Sequence, residues 1–294
     1  MDNTTANSSP PFHVVPYRPD GGSGQRGLLL TWGITILSGL ALGAAVGFIS
    51  RWLYVAGLFP LAIGGIAGLL GMLSLTTAKV RAPLLAGTIG FVSGCLAIGV
   101  VHTFQYQRFL HRLSEQPQLL AQWEADGDGF LQFIDLQAQR GVEIIEHADT
   151  MKLGYYQSYI YWLVDLLLAA GFAAYLMWNQ ARAPFCTVCQ DWKETYLLAK
   201  LRLARGRAKY AVTTGQLALL RDQVAPPAGN KLLLKVSACS RCGPDCTIVV
   251  LLQEVSEDGW GGFAGKRVCQ AIYPSQAMDV LNQLTAEKPE PIQG

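Results

Sequence analysis

Charge is what this sequence has least of. Lys, Arg, Asp and Glu make up 15% of its 294 residues, against about 25% in ordinary soluble domains. The deficit points to lipid as the surroundings of much of the chain. Histidine is nearly as scarce: the four, at 13, 102, 111 and 147, all precede residue 148, so the later part of the chain supplies no imidazole of its own. No Ser–His–Asp arrangement, phosphate-cradling glycine loop or pair of acids within one apolar run is present. The usual grounds for assigning an enzyme are therefore missing. The opening 27 residues lack the short apolar core and cleavage site of a signal peptide. Rich in Pro, Ser, Asn and Gly, they read as a disordered tail over 1–27.

Apolar residues are abundant instead, at 51%, and they are concentrated. The runs 28–50, 53–77, 84–105 and 158–178 are each long enough as helices to cross a hydrocarbon core about 30 Å thick. Asp165 is the only formal charge within them. The expected fold is an α-helical multi-pass membrane protein of four transmembrane helices over 28–178, followed by a small cytosolic α+β domain over 179–294.

Lys and Arg collect on the cytoplasmic side of membrane loops. Arg18 and Arg26, then Lys79 and Arg81, then seven Lys/Arg between 182 and 209 share one side if there are four spans. The segment 106–157, with eight acidic residues against four Lys/Arg, falls on the other. Both termini are thus expected to be cytoplasmic in a cell (inner) membrane, with 106–157 outside; Arg51 dissents. The aromatic stretch 155–162 and Trp178 would sit at the two interfaces.

Gly39, Gly43 and Gly47 form a four-residue repeat on one helix face, Gly64 and Gly68 on a second and Gly90 and Gly94 on a third. Such rows remove side-chain bulk and let backbones approach, so a glycine-zipper packing of the bundle, or of an oligomer, is expected. Asp165 and His102 are ionisable groups in apolar helices and hence functional candidates. An interhelical hydrogen bond is the favoured role for them over a transport path.

Between the third and fourth runs, "EADGDGFLQFID" resembles part of an EF-hand calcium loop. Glu124, Asp126, Asp128 and Asp135 fall at its carboxylate positions and Gly129 at its sharp turn. Glu at the first position and the short Asp at the last depart from the pattern. The simpler expectation is a turn opening an amphipathic helix that buries Phe130, Phe133, Ile134 and Ala138 and breaks at Gly141.

Of seven cysteines, three fall in the nine residues "ACSRCGPDC". "CTVC" at 186–189 and "CSRC" at 239–242 are two C-x-x-C pairs, the ligand complement of a tetrahedral four-cysteine zinc site. They resemble the knuckles of zinc ribbons, although the 49 intervening residues exceed the usual spacing. Cys186, Cys189, Cys239 and Cys242 are the expected zinc ligands, with Cys246 a spare thiol facing the core, Cys269 a core residue and Cys95 a packing residue. A redox pair, an iron–sulfur cluster and unligated thiols are the alternatives. A disulfide is disfavoured in a reducing compartment. Around these pairs, 191–210 reads as a helix, 213–223 as a shorter one, "KLLLKVSAC", "CTIVVLLQEV" and "KRVCQAIYP" as strands and 275–288 as a closing helix.

Lys200, Arg202, Arg205, Arg207 and Lys209 crowd a stretch where anionic lipid headgroups, or simply solvent, would meet them. Without interleaved aromatics they give no ground for nucleic acid. The functional expectation is a non-enzymatic membrane protein whose zinc-stapled domain docks a protein partner or supports assembly, a homo-oligomer included. A transporter or channel component using Asp165 and His102 is one alternative, and a thiol oxidoreductase using Cys186 and Cys189 is the other.

Overall fold

A computed structural model describes residues 12–19, 21–22, 24–49, 58–116, 118, 120–121, 123, 129–146, 149–201, 203–223, 231–242, 246–255, 266–283 and 290–291. The chain divides into two compact units, 20–182 and 1–19 together with 183–294. The second thus recruits the N-terminus, and the division falls at 182/183 instead of 178/179.

A two-residue strand, β1 (Val15–Pro16), precedes the helical unit. That unit is built on α1 (Gln25–Ile49), α2 (Leu58–Ala78), α3 (Pro83–Ser114), a short α4 (Gly129–Arg140) and α5 (Tyr155–Ala181). By length and composition α1, α2, α3 and α5 could each cross a membrane, with mean hydropathy of 1.8 to 2.2 over their most apolar windows. Their outward faces carry large apolar residues such as Leu29, Leu37 and Leu73, each at least 60% exposed, which is the pattern lipid requires.

Glycine decides how closely these helices meet. A Cβ on Gly43 would stand 2.5 Å from the carbonyl oxygen of Ala97 and 3.0 Å from its Cα. At Gly94 it would stand 2.5 Å from the Cα of Ala170. The α1 row therefore seats on α3, while Gly64 and Gly68 of α2 and Gly90 and Gly94 of α3 receive Ala169, Ala170 and Ala173 of α5. Dispersion and backbone contacts act at this range without any hydrophobic force from solvent. Buried hydroxyls add a polar tie: Ser93 donates to the Thr35 carbonyl at 2.8 Å, and Thr35 and Ser74 hydroxyls lie 3.3 Å apart.

α3 continues well past residue 105, because Tyr106, Phe109 and their neighbours gain an aromatic partner in α4. Tyr106 and Phe109 both pack on Phe133, with ring centroids 5.4 and 5.2 Å apart. Phe133 and Ala138 are buried and Gly141 breaks the helix at φ 79°, as the sequence implies, whereas Phe130 is 38% exposed and Ile134 half-buried. A hairpin of β2 (Glu143–Glu146) and β3 (Asp149–Lys152) leads to α5.

The second unit opens with a small hairpin, β4 (Phe185–Cys186) and β5 (Asp191–Trp192). Then come β6 (Glu194–Leu201), α6 (Arg205–Thr214), a 3-10 turn (Leu217–Gln223), β7 (Lys231–Ala238), β8 (Ile248–Val255), β9 (Lys266–Tyr273), α7 (Ala277–Gln283) and β10 (Glu290–Pro291). One antiparallel sheet runs in the order β1-β9-β8-β7-β6-β10. Alternate residues of its strands, among them Leu232, Leu234, Val236, Val250, Leu252 and Tyr273, point into a core closed by Ala208, Ala211, Val212, Leu217, Leu220 and Leu281. The buried Tyr273 hydroxyl donates to the Val212 carbonyl, so this polar tip is satisfied inside the core.

Two expectations are corrected here. Residues 12–19 are not part of a disordered tail: Val15 pairs with Ile272 across the sheet edge, and Phe12 and Val14 pack on the core. The stretch 191–210 is not one helix. Its first part is strand β6, paired with β7 from Glu194↔Ala238 to Leu201↔Leu232, and a helix starts only at Arg205. Long-range pairing with β7 outweighs the helix propensity of Leu, Ala and Lys.

Candidate metal centre

The β4–β5 hairpin carries the first C-x-x-C pair at its turn. Phe185 faces Trp192 across it at 5.1 Å between ring centroids, and the Lys193 amide donates to the Pro184 carbonyl at 2.9 Å, closing its base. Inside the turn the Cys189 amide points at the Cys186 sulfur, 3.5 Å away. Gln190 follows Cys189 at φ 53°, a left-handed conformation that favours glycine. The second pair lies just after β7, where the chain turns toward β8. Asp191 and Arg241 join the two turns with an ion pair at 3.2 Å, which is exposed and so contributes little energy.

This folding brings Cys186, Cys189, Cys239 and Cys242 together with their sulfurs all within 4.8 Å of one another. The Cys186 and Cys242 sulfurs are 3.4 Å apart. In a tetrahedron with metal–sulfur bonds of about 2.3 Å the sulfurs stand about 3.8 Å apart; here the separations run from 2.7 Å between Cys189 and Cys242 to at most 4.8 Å and bracket that value. Cys186 is buried and the other three are half-buried. Four thiolates with no histidine or water position make a closed donor set. That set suits a structural metal centre, and tetrahedral four-sulfur sites take zinc or iron–sulfur.

Cys246 does not turn away into the core as expected. Its sulfur lies 3.4 Å from that of Cys186 and is joined to that of Cys242 as a disulfide. Strand β8 starts only at Ile248, so residue 246 still belongs to the turn and its side chain falls among the other thiols. The two arrangements of Cys242 are exclusive, because a disulfide sulfur offers no thiolate to a metal. The four-thiol geometry is the arrangement that matches a metal; the disulfide is the alternative that the fifth thiol allows.

The thiols are unequal. Desolvation, then the neighbouring Cys239, push Cys189 up to about 11, whereas the Arg241 backbone amide, followed by that of Cys242, holds Cys239 below the ordinary thiol value. Lys193 is a buried cation that sequence reasoning misses. Its ammonium donates to the Thr247 carbonyl at 2.5 Å and hydroxyl at 3.2 Å. Burial lowers its pKa, and the Cys186 and Cys239 sulfurs act in the opposite direction. A lysine so placed would offset part of the double negative charge that four thiolates around a divalent ion carry. Its position four residues past Cys189 is the one signal the sequence offers.

The other candidate residues are dispersed. Cys269 is half-buried against the sheet core and Cys95 is half-buried in α3. Glu124, Asp126 and Asp128 lie outside the described residues. Asp135 accepts hydrogen bonds from Tyr155, Tyr159 and Gln139, which hold its carboxyl below the usual range, Tyr155 foremost. Of the five basic residues, Arg202 lies outside the described residues. Lys200 is on β6, and Arg205, Arg207 and Lys209 are on α6, where Arg205 pairs with Glu254 at 3.2 Å. Strand β6 breaks the single basic helix that the sequence suggests.

Within the helical unit, His102 and Asp165 line one cavity of about 480 Å³. Asp165 is 5% exposed and has an interaction partner in the protein; His102 stands edge-on to Trp162 at 5.9 Å. Comparison of the chain with protein-family models, with curated proteins and with solved structures finds no match.

Proposed function

We propose that this chain is a non-enzymatic integral membrane protein whose α+β unit, stapled by a four-cysteine zinc site, lies on the cytoplasmic side and docks a protein partner. The convergence of Cys186, Cys189, Cys239 and Cys242 within 4.8 Å carries the reading. A closed tetrathiolate leaves no position for substrate, so its contribution is to folding and not to chemistry. What it fixes is a hairpin whose tip presents Val188, 75% exposed between two ligands. An apolar side chain held out by a metal-locked turn is suited to entering a pocket on another protein.

The oxidoreductase alternative names Cys186 and Cys189, but neither cysteine opens a helix, and the thiols that pair are Cys242 and Cys246. The transporter alternative gains one supporting observation, the cavity that His102 and Asp165 share. To test docking, a photo-crosslinking residue is placed at 188 and irradiated in native membranes, with and without a zinc chelator. A discrete adduct that depends on zinc, and that Leu219, 52% exposed elsewhere on the unit, does not give, supports the reading. Absence of an adduct, or one indifferent to zinc, contradicts it.

A further inference from the structure

The cavity in the helical unit has a chemical gradient along it. At one end its wall is Ile63, Ile98 and Val101, all at most 9% exposed. At the other it is flanked by the exposed Arg112 and Arg140. Fourteen residues of α3 separate Ile98 from Arg112, which at about 1.5 Å per residue is roughly 21 Å along the axis. The lining therefore reaches over that length, and His102, Gln105, Tyr161 and Asp165 stand in it beside the apolar residues. Its volume, about 480 Å³, lies within the range of small-molecule sites.

Among the described residues, two of the arginines in the wall are not consumed by ion pairs. Arg108, also in the wall, is committed: it donates to the Gly47 and Phe48 carbonyls and so closes the C-terminus of α1. Arg112 and Arg140 come from different helices, and neither pairs with an acid among the described residues. Asp165 has its own partner, and among the described residues it is the one acid in the lining, against three arginines. Two guanidiniums in a lining whose other residues are mostly apolar offer charge-assisted hydrogen bonds to a carboxylate or phosphate, while apolar residues such as Ile63, Ile98 and Phe109 take a hydrocarbon chain.

We infer that this cavity binds a single-chain anionic amphiphile, its head on Arg112 and Arg140 and its tail running toward Ile63 and Ile98. Two acyl chains would not fit the volume. The inference is independent of the metal centre and of partner docking.

Trp162 lines the same cavity and reports occupancy. Purified full-length protein in a nonionic detergent is titrated with 9,10-dibromostearate, whose bromines quench an indole they touch. Saturable quenching that disappears in Trp162→Phe is expected, with affinity falling about tenfold or more in Arg112→Gln/Arg140→Gln. Arg112→Lys/Arg140→Lys should restore most of it, which separates lost charge from lost structure. The brominated fatty alcohol, with the same chain and no charge, should bind about tenfold more weakly. Two further arms use vesicles of brominated phosphatidylglycerol and brominated phosphatidylcholine. Quenching of Trp162 by the former but not by dibromostearate would make the ligand a bilayer headgroup and overturn the single-chain assignment. Equal binding of acid and alcohol, an unchanged affinity in the glutamine variant, or quenching that persists in Trp162→Phe would overturn the site itself.

Discussion

The sulfur of Cys246 lies 3.4 Å from that of Cys186, a residue sixty positions earlier and buried at the base of the other knuckle. A fifth thiol this close to a four-thiol site is a reserve ligand. Cys246→Ser should keep about one zinc per chain, since the two C-x-x-C pairs fill the tetrahedron. Cys242→Ser should keep part of it through Cys246, and Cys242→Ser/Cys246→Ser should lose it. Elemental analysis of the three variants decides: full loss in Cys242→Ser alone would show that Cys246 cannot substitute.

Gly43 and Gly99 make a matched pair in the helical unit. A Cβ at Gly43 meets the Ala97 backbone, whereas one at Gly99 meets nothing within 4 Å. Gly43→Ala should cost about 1–3 kcal/mol, because backbone cannot yield as a side chain can. Gly99→Ala should be neutral or stabilising by up to about 1 kcal/mol. Thermal unfolding of the two variants in detergent checks this, and equal melting temperatures would contradict the close approach of α1 to α3.

Gln190 occupies a left-handed position at φ 53° in the first knuckle. Gln190→Gly should be tolerated or stabilise the site by up to about 1 kcal/mol, and Gln190→Val should weaken it, because a β-branched residue resists that conformation. Competition with a chromogenic chelator ranks the zinc affinities; Val matching Gly would refute the argument.

The hydrogen bonds from Tyr155 and Tyr159 to Asp135 tie α4 to α5, and together with that of Gln139 on α4 itself they keep its carboxyl below the ordinary value. A depressed folded pKa makes this contribution complete above the unfolded value of about 3.9. It is lost as pH falls through the lower, folded one. Amide exchange over 130–138 should therefore be slow at pH 6 and faster in Asp135→Ala at the same pH. Unchanged exchange in the variant would show the tie to be incidental.

How legible the molecule is from its sequence depends on how local each constraint is. Lipid forces every backbone group into intrahelical bonds, so the four apolar runs announce their helices, with α3 extended beyond 105 only because Phe133 waits in α4. Glycine rows likewise declare close approach, though not that Ala169, Ala170 and Ala173 receive them. Strand β6 is hidden because its residues favour helix and its partner β7 begins thirty residues after it ends. Strand β1 is hidden by Pro16 and by its two-residue length. The cysteine pairs are plain from spacing, whereas the place of Cys246 depends on where β8 begins. The cavity is invisible, because its wall gathers side chains from all five helices.

The zinc content of the purified, reduced full-length protein tests the account most directly. Elemental analysis should find about one zinc per chain, lost together with the sheet's cooperative unfolding when Cys239 is replaced by Ser. No zinc in the unaltered protein, or a Cys239→Ser variant that keeps it, would contradict the metal centre on which the proposed function rests.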